Sequence, residues 1–163
     1  MDDAVLRSLA RWPNVPAVYG WLELDRRGNF LVRSASTTRK FERIGNSALR
    51  EFIARNYAPD ARGCWYFQNG PQRVYVGLAY TPLVVHYEGE RLLDQCGHEF
   101  GPPEGFLLDD EGSVLARRGA NIALVDDRDL ERFAERASEL EHIRRAEVPG
   151  RFRFVPDPAS AQV

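Results

Sequence analysis

Lysine is almost missing from this chain: Lys40 is the only one among 22 basic residues, so nearly all positive charge is guanidinium. Arginine is the better fork for carboxylates and phosphates, but a uniform bias of this kind also follows from genome composition alone. Cysteine is equally sparse. Cys64 and Cys96 are too few for a disulfide framework, and nothing points to an oxidising compartment. An excess of positive charge is lacking too: the formal net charge is −2, which leaves no basic field to gather a phosphate backbone and argues against nucleic acid as a partner. The longest uncharged run, residues 74–85, falls well short of a membrane span. The opening Met1-Asp2-Asp3 is acidic where a secretory leader would be basic and then apolar. The expectation is a soluble cytoplasmic protein with no membrane partner.

Chemical signatures are missing as well. There is no Gly-x-x-x-x-Gly-Lys loop, dinucleotide fingerprint, His-Glu-x-x-His, Cys-x-x-Cys or Gly-x-Ser-x-Gly. No catalytic residues and no cofactor are expected, and the reading leans away from an enzyme. What is present is globular: 163 residues with 44% apolar and 28% charged content suit one domain, or two small units sharing a core.

Asp2 or Asp3 caps a first helix through Val5, Leu6, Leu9 and Trp12, which Pro13 ends. Residues 17–34 read as two strands about Asp25-Arg26-Arg27-Gly28, a turn in which Asp bonds its own backbone and Gly supplies positive φ. Residues 34–43 lack periodicity and read as a loop. Asn46 caps a helix bearing Leu49, Phe52, Ile53 and Tyr57 on one face, stopped before Pro59. After the central hairpin, Thr81-Pro82 breaks the strand, residues 83–88 resume it and 91–95 return. Residues 96–104 read as an irregular connector. A second hairpin over 105–117 precedes a helix from Asp127 to about Arg145, burying Leu130, Phe133, Ala134, Ala137 and Leu140. Arg151-Phe152-Arg153-Phe154-Val155 alternates like an edge strand, and residues 156–163 read as disordered.

Leu24-Asp25-x-x-Gly28-x-Phe30-Leu31-x-Arg33 matches Leu108-Asp109-x-x-Gly112-x-Val114-Leu115-x-Arg117, and the helix after each hairpin matches too. That is either a duplication or two uses of common parts. The expected fold class is α+β: antiparallel hairpins with two amphipathic helices, the hairpin–helix unit occurring twice. The expected layout is 1–16 helix and lead-in, 17–95 first unit, 96–104 connector, 105–155 second unit sharing one core, and 156–163 tail.

Residues 64–80 hold the densest aromatic stretch. Asn69-Gly70 signals a hairpin, but Pro71 cannot donate a closing hydrogen bond, so a wider loop over 69–72 is expected. Pairing Gln68 with Arg73 sets Tyr66 opposite Tyr75 and Phe67 opposite Val74. Trp65, Phe67, Val74, Val76, Leu78 and Tyr80 then face the core, while Tyr66, Gln68, Arg73 and Tyr75 form the other face. With Asn69, Gln72 and the helix residue Arg55, these are the candidate binding residues, because Tyr and Arg favour contact hot spots. The opposing possibility is that the chain itself covers this face, the phenols and Arg73 bonding internally.

Asp94, Cys96, His98 and Glu99 form the one reactive cluster, with Cys96 and His98 as weak candidates for a metal or nucleophile site. Asp109-Asp110-Glu111 sits in a turn and Asp126-Asp127 at a helix start, where carboxylates complement the dipole; neither has the spacing of a Ca²⁺ loop. No metal is expected.

The run from Trp65 to Val76, with Tyr80-Thr81-Pro82 behind it, resembles the signature of a family of small uncharacterised proteobacterial proteins, a domain of unknown function. Tyr19-Gly20-Trp21-Leu22-x-Leu24-Asp25 and residues 123–130 fit the same pattern, so the resemblance spans residues 19–140; it implies a family label and no activity. The hairpin–helix–hairpin order is similar to a second uncharacterised bacterial family of repeated αβ motifs, for which signalling has been suggested. The expected function is a non-enzymatic protein-interaction or regulatory module, meeting an unknown protein partner or self-associating as a homodimer. The alternative is a binder of a small anionic ligand, or an enzyme of unrecognised type, using Arg55, Arg73 or the Cys96/His98 connector.

Overall fold

A computed structural model describes residues 1–36 and 40–162 of the chain. Residues 37–39 of the expected loop, and Val163 of the expected tail, lie outside the described residues. The chain divides into two compact units: Met1–Asp25, Asn29–Ala79 and Val155–Val163 form the first, Arg26–Gly28 and Tyr80–Phe154 the second.

Among the described residues one turn construction occurs four times, at Asp25, Asp60, Asp94 and Asp109. The Asp N–H donates to the carbonyl four residues on, at 2.8–3.0 Å in every case (Asn29, Cys64, His98 and Ser113). The N–H of that fourth residue returns the bond to the Asp carboxylate, at 2.8, 3.0, 3.0 and 2.8 Å. Between them stands a glycine with φ of 78–83° (Gly28, Gly63, Gly97, Gly112), a region that a Cβ makes costly.

In the first unit, α1 (Asp3–Arg11) precedes β1 (Val18–Leu24), β2 (Phe30–Arg33) and β3 (Phe41–Arg43); α2 (Ser47–Arg55) leads to β4 (Tyr57–Pro59), β5 (Trp65–Asn69) and β6 (Gln72–Leu78). The sheet order is β3-β2-β1-β6-β5-β4. Two antiparallel meanders meet where β1 lies parallel to β6, Leu22 facing Val76. A parallel pair needs a long crossover, and the chain from β2 through α2 to β5 supplies it. Asn46 caps α2 by accepting from the Leu49 N–H at 3.0 Å. Ile53 is buried, worth about 2–3 kcal/mol of apolar transfer, and Phe52 meets Phe67 edge-on at 5.4 Å.

The second unit has β7 (Leu83–Glu88), β8 (Arg91–Asp94), β9 (Gly105–Asp109), β10 (Val114–Arg118) and β11 (Asn121–Val125), a 3₁₀ helix (Asp127–Glu139), β12 (Glu141–Ile143) and α3 (Val148–Phe152). Its sheet runs β12-β9-β10-β11-β7-β8, with β11 parallel to β7 and β12 parallel to β9. Val85, Leu92, Phe100, Val114, Ala116, Ala123, Val125 and Phe133 form its core.

The fold is α+β, but both sheets are mixed, not built of antiparallel hairpins alone. Periodicity marks strands without naming partners, so the parallel pairs escaped the sequence reading; β3, within the expected loop, and β11 and β12 escaped it as strands too short to show a period. Other expectations are corrected locally. Leu6 and Trp12 are exposed, only Val5 of α1 being buried. α2 stops at Arg55 because the Asn56 amide donates to the Phe52 carbonyl, and the Asn56 carbonyl receives the Gln68 N–H; Tyr57 is therefore in a strand. The helix expected over 127–145 is 3₁₀ and ends at Glu139. Leu130 and Phe133 stand three apart, so three residues per turn superpose them on the core side, while Ala134 is exposed. In place of the edge strand expected at 151–155, residues 151 and 152 end α3, a helix started by Pro149, whose fixed φ suits a first helical turn; of the five only Val155 pairs, with Cys64. In the C-terminal segment the Pro156 carbonyl accepts from the Leu78 N–H and Pro158 is buried.

Candidate functional site

The hairpin register holds: Tyr66 faces Tyr75, Phe67 faces Val74 and Gln68 faces Arg73. Asn69 also faces Gln72, so the loop is only Gly70-Pro71, narrower than expected. Moving the turn one residue along makes Pro71 a loop residue with no N–H to supply, and Gly70 takes the positive φ of 57°.

The second face is not open. Tyr66, Gln68 and Tyr75 are all buried, because Val155 and Ala161 of the C-terminal segment pack over the tyrosines. The Tyr75 hydroxyl donates to Asp60 at 2.9 Å and accepts from Arg62 at 3.0 Å; Tyr19 stacks on its ring at 4.6 Å. Burial pushes the Tyr75 phenol up. At Asp60 burial works upward, but hydrogen bonds from Tyr75, Arg62 and backbone N–H groups outweigh it and hold the carboxyl below its ordinary value. Arg73 lies 3.8 Å over the Tyr66 ring, and Gln68 donates to the Gly70 carbonyl. Asn69 is exposed at the tip, Gln72 is half-buried, and Arg55 bonds both oxygens of Asp2, tying α1 to α2.

The second unit contains a cavity of about 550 Å³, within the ordinary range for small-molecule sites. Its walls come from Arg27-Gly28, from β7, from the Asp94 turn and from the start of the 3₁₀ helix. Arg27 forks onto Asp127 at 3.1 and 2.9 Å, and Arg128 onto buried Asp126 at 2.9 and 2.6 Å. The Arg128 guanidinium holds the Asp126 carboxyl down at about 2. Asp129 accepts the Tyr87 N–H, and His86 stands 3.5 Å from Glu88. Gly28 fits against the wall: a Cβ there would lie 2.8 Å from that of Gln95.

A smaller cavity of about 280 Å³ shares Arg27 and is lined otherwise by Arg26, Ser113, Leu124, Val125, Asp127 and Leu130. The Arg26 guanidinium donates to Ser113 Oγ at 2.7 Å and lies 5.3 Å from the Tyr80 ring centre. Arg145 lies 4.6 Å from the same ring, and the Tyr80 hydroxyl donates to Asp109 at 2.7 Å. Burial, then that carboxylate, push the Tyr80 phenol far up, so it stays a neutral donor.

Cys96 and His98 belong to the Asp94 turn, which explains why reactive types gather there. Both backbone N–H groups bond Asp94, at 2.8 and 3.0 Å. Burial, then Asp94, push the Cys96 thiol up to about 12, the opposite of an activated nucleophile. His98 Nδ1 is 3.9 Å from Asp94 with its side chain largely exposed. None of the candidate binding residues, nor Cys96 or His98, lines either cavity; Asp94 of the reactive cluster and Gly97 of the connector line the larger one. The Asp-x-x-Gly pattern was the available signal: read at all four positions, it would have placed the Asp94 turn and Arg26 at comparable bends.

Comparison with known proteins adds a label. A family model, DUF2944, described as "Protein of unknown function (DUF2946)", matches residues 1–153. The chain belongs to this family. Among curated proteins none matches this DUF2944 member. A crystal structure of a DUF1285 family protein from Silicibacter pomeroyi DSS-3 is similar, with a TM-score of 0.52 at 15% identity over 83% of this chain and 85% of that one. The likeness is one of fold alone. Among the described residues, no helix is long and apolar enough to cross a membrane.

Proposed function

We propose that the chain is a non-enzymatic binding module whose second unit holds a small polar ligand in the larger cavity. The observation that carries this is a space of about 550 Å³ on which polar groups from four chain segments converge. Its lining is acid-rich: Glu88, Asp94, Asp126 and Asp129 against Arg27 and Arg128, both forked onto carboxylates. A ligand presenting N–H or O–H donors therefore suits it better than the small anionic ligand that stood as the sequence's alternative. The test is a thermal-shift screen of amines, polyols and amino acids against the wild type, with His86→Trp as a variant that fills the cavity. Hits should vanish in His86→Trp while its own melting temperature holds. Hits that persist there place the ligand elsewhere and reject the reading.

A protein-partner reading draws support from the first unit, where Trp12 and Trp21 are 55% and 48% exposed, a residue type enriched at contact surfaces. Self-association that survives Trp12→Ala with Trp21→Ala in sedimentation equilibrium removes these residues from any such surface.

A further inference from the structure

We infer that the smaller cavity of the second unit is a separate site for a short-chain carboxylate. Arg26 carries the argument. Among the described residues, no carboxylate forms an ion pair with it, whereas Arg27, lining the same cavity, is neutralised by Asp127 through both oxygens. The nearby acid Asp109 is only 4% exposed and is engaged by Tyr80 and by the N–H groups of Glu111 and Ser113. The lining thus keeps the charge of one guanidinium.

That guanidinium is positioned. Ser113 Oγ accepts one N–H, and the neutral Tyr80 ring supports the group from 5.3 Å. A guanidinium has five donors, so a fork remains for an incoming carboxylate. Leu124, Val125 and Leu130 supply an apolar wall for a hydrocarbon tail. The volume of about 280 Å³, below the ordinary range for small-molecule sites, suits a ligand of a few carbons better than a nucleotide. One guanidinium beside three aliphatic side chains matches a monoanion with an apolar end. Arg26 and Ser113 do not line the larger cavity, so this site stands or falls separately from the polar-ligand reading.

The experiment is ligand-observed NMR on the intact chain with butyrate, 1-butanol, n-butylamine and inorganic phosphate as probes. Butyrate should bind in the millimolar range and the alcohol and amine at least tenfold more weakly. Arg26→Gln should weaken butyrate tenfold or more, and Arg26→Lys, which keeps the charge but loses the fork, should fall between. Arg26 is exposed, so both variants should keep the wild-type denaturation midpoint; Ser113→Ala gives a second reading and should weaken butyrate a few-fold. The inference is overturned if butyrate and 1-butanol bind alike, if phosphate binds as well as butyrate, or if Arg26→Gln binds butyrate as the wild type does.

Discussion

A buried tyrosine that donates its hydroxyl to the aspartate of an Asp-x-x-Gly turn occurs once in each unit, and each ring carries an arginine. In the first unit Tyr75 donates to Asp60, with Arg62 5.6 Å from its ring; in the second Tyr80 donates to Asp109, with Arg26 at 5.3 Å. The parts are alike but differently enclosed. Arg62 comes from the turn itself, pairs with Asp60, and its tyrosine lies beneath Val155 and Ala161. Arg26 comes from a different turn, has a hydroxyl for its partner, and borders a cavity. The same chemistry thus serves as an internal clasp in one unit and as a presented binding group in the other. What separates them is whether the arginine has a carboxylate of its own.

Removing either turn aspartate should cost most. Asp60→Ala and Asp109→Ala each strand two backbone N–H groups and a phenol, so each should lose about 3 kcal/mol or more in urea denaturation. A loss at one site alone would break the equivalence of the clasps. Next come the glycines. Gly28→Ala should cost about 2–3 kcal/mol, since its Cβ meets Gln95, while Gly112→Ala, with open space around it, should cost about 1 kcal/mol for the positive φ alone. Equal costs would mean that the Gly28 contact relaxes freely.

Tyr75→Phe should cost about 1–2 kcal/mol at neutral pH. The Asp60 carboxyl is held low in the folded state, so the stability it contributes is present above its unfolded value of about 4 and is lost as pH falls through the folded value. The gap between wild type and Tyr75→Phe should therefore shrink in acid, measured as urea midpoints from pH 7 to pH 2. A gap that stays constant would show that Asp60 is not the group the phenol serves. Smallest of all, Arg26→Gln should leave the midpoint unmoved, whereas Arg62→Gln should lower it measurably.

Much of this was legible in the chain. Alternation placed the β5–β6 register, and Asn46 and Pro82 marked a helix start and a strand break, because each signal depends only on near neighbours. Whether the second face is open or covered was not legible for a non-local reason: nothing in Tyr66 or Tyr75 indicates that Val155 and Ala161, eighty or more residues on, will cover them. Parallel pairing of β1 with β6 and β7 with β11 escaped on the same ground. Arg26 was visible as a turn residue, but its role depends on Ser113 and Tyr80, which only the fold brings to it.

The most direct test is an amide NMR map of the intact chain titrated with butyrate. Shifts should centre on Ser113, Leu124 and Leu130, with the resonances of Tyr66 and Tyr75 unmoved. Shifts centred on Tyr66 and Arg73 instead would contradict the division into a closed clasp and an open one.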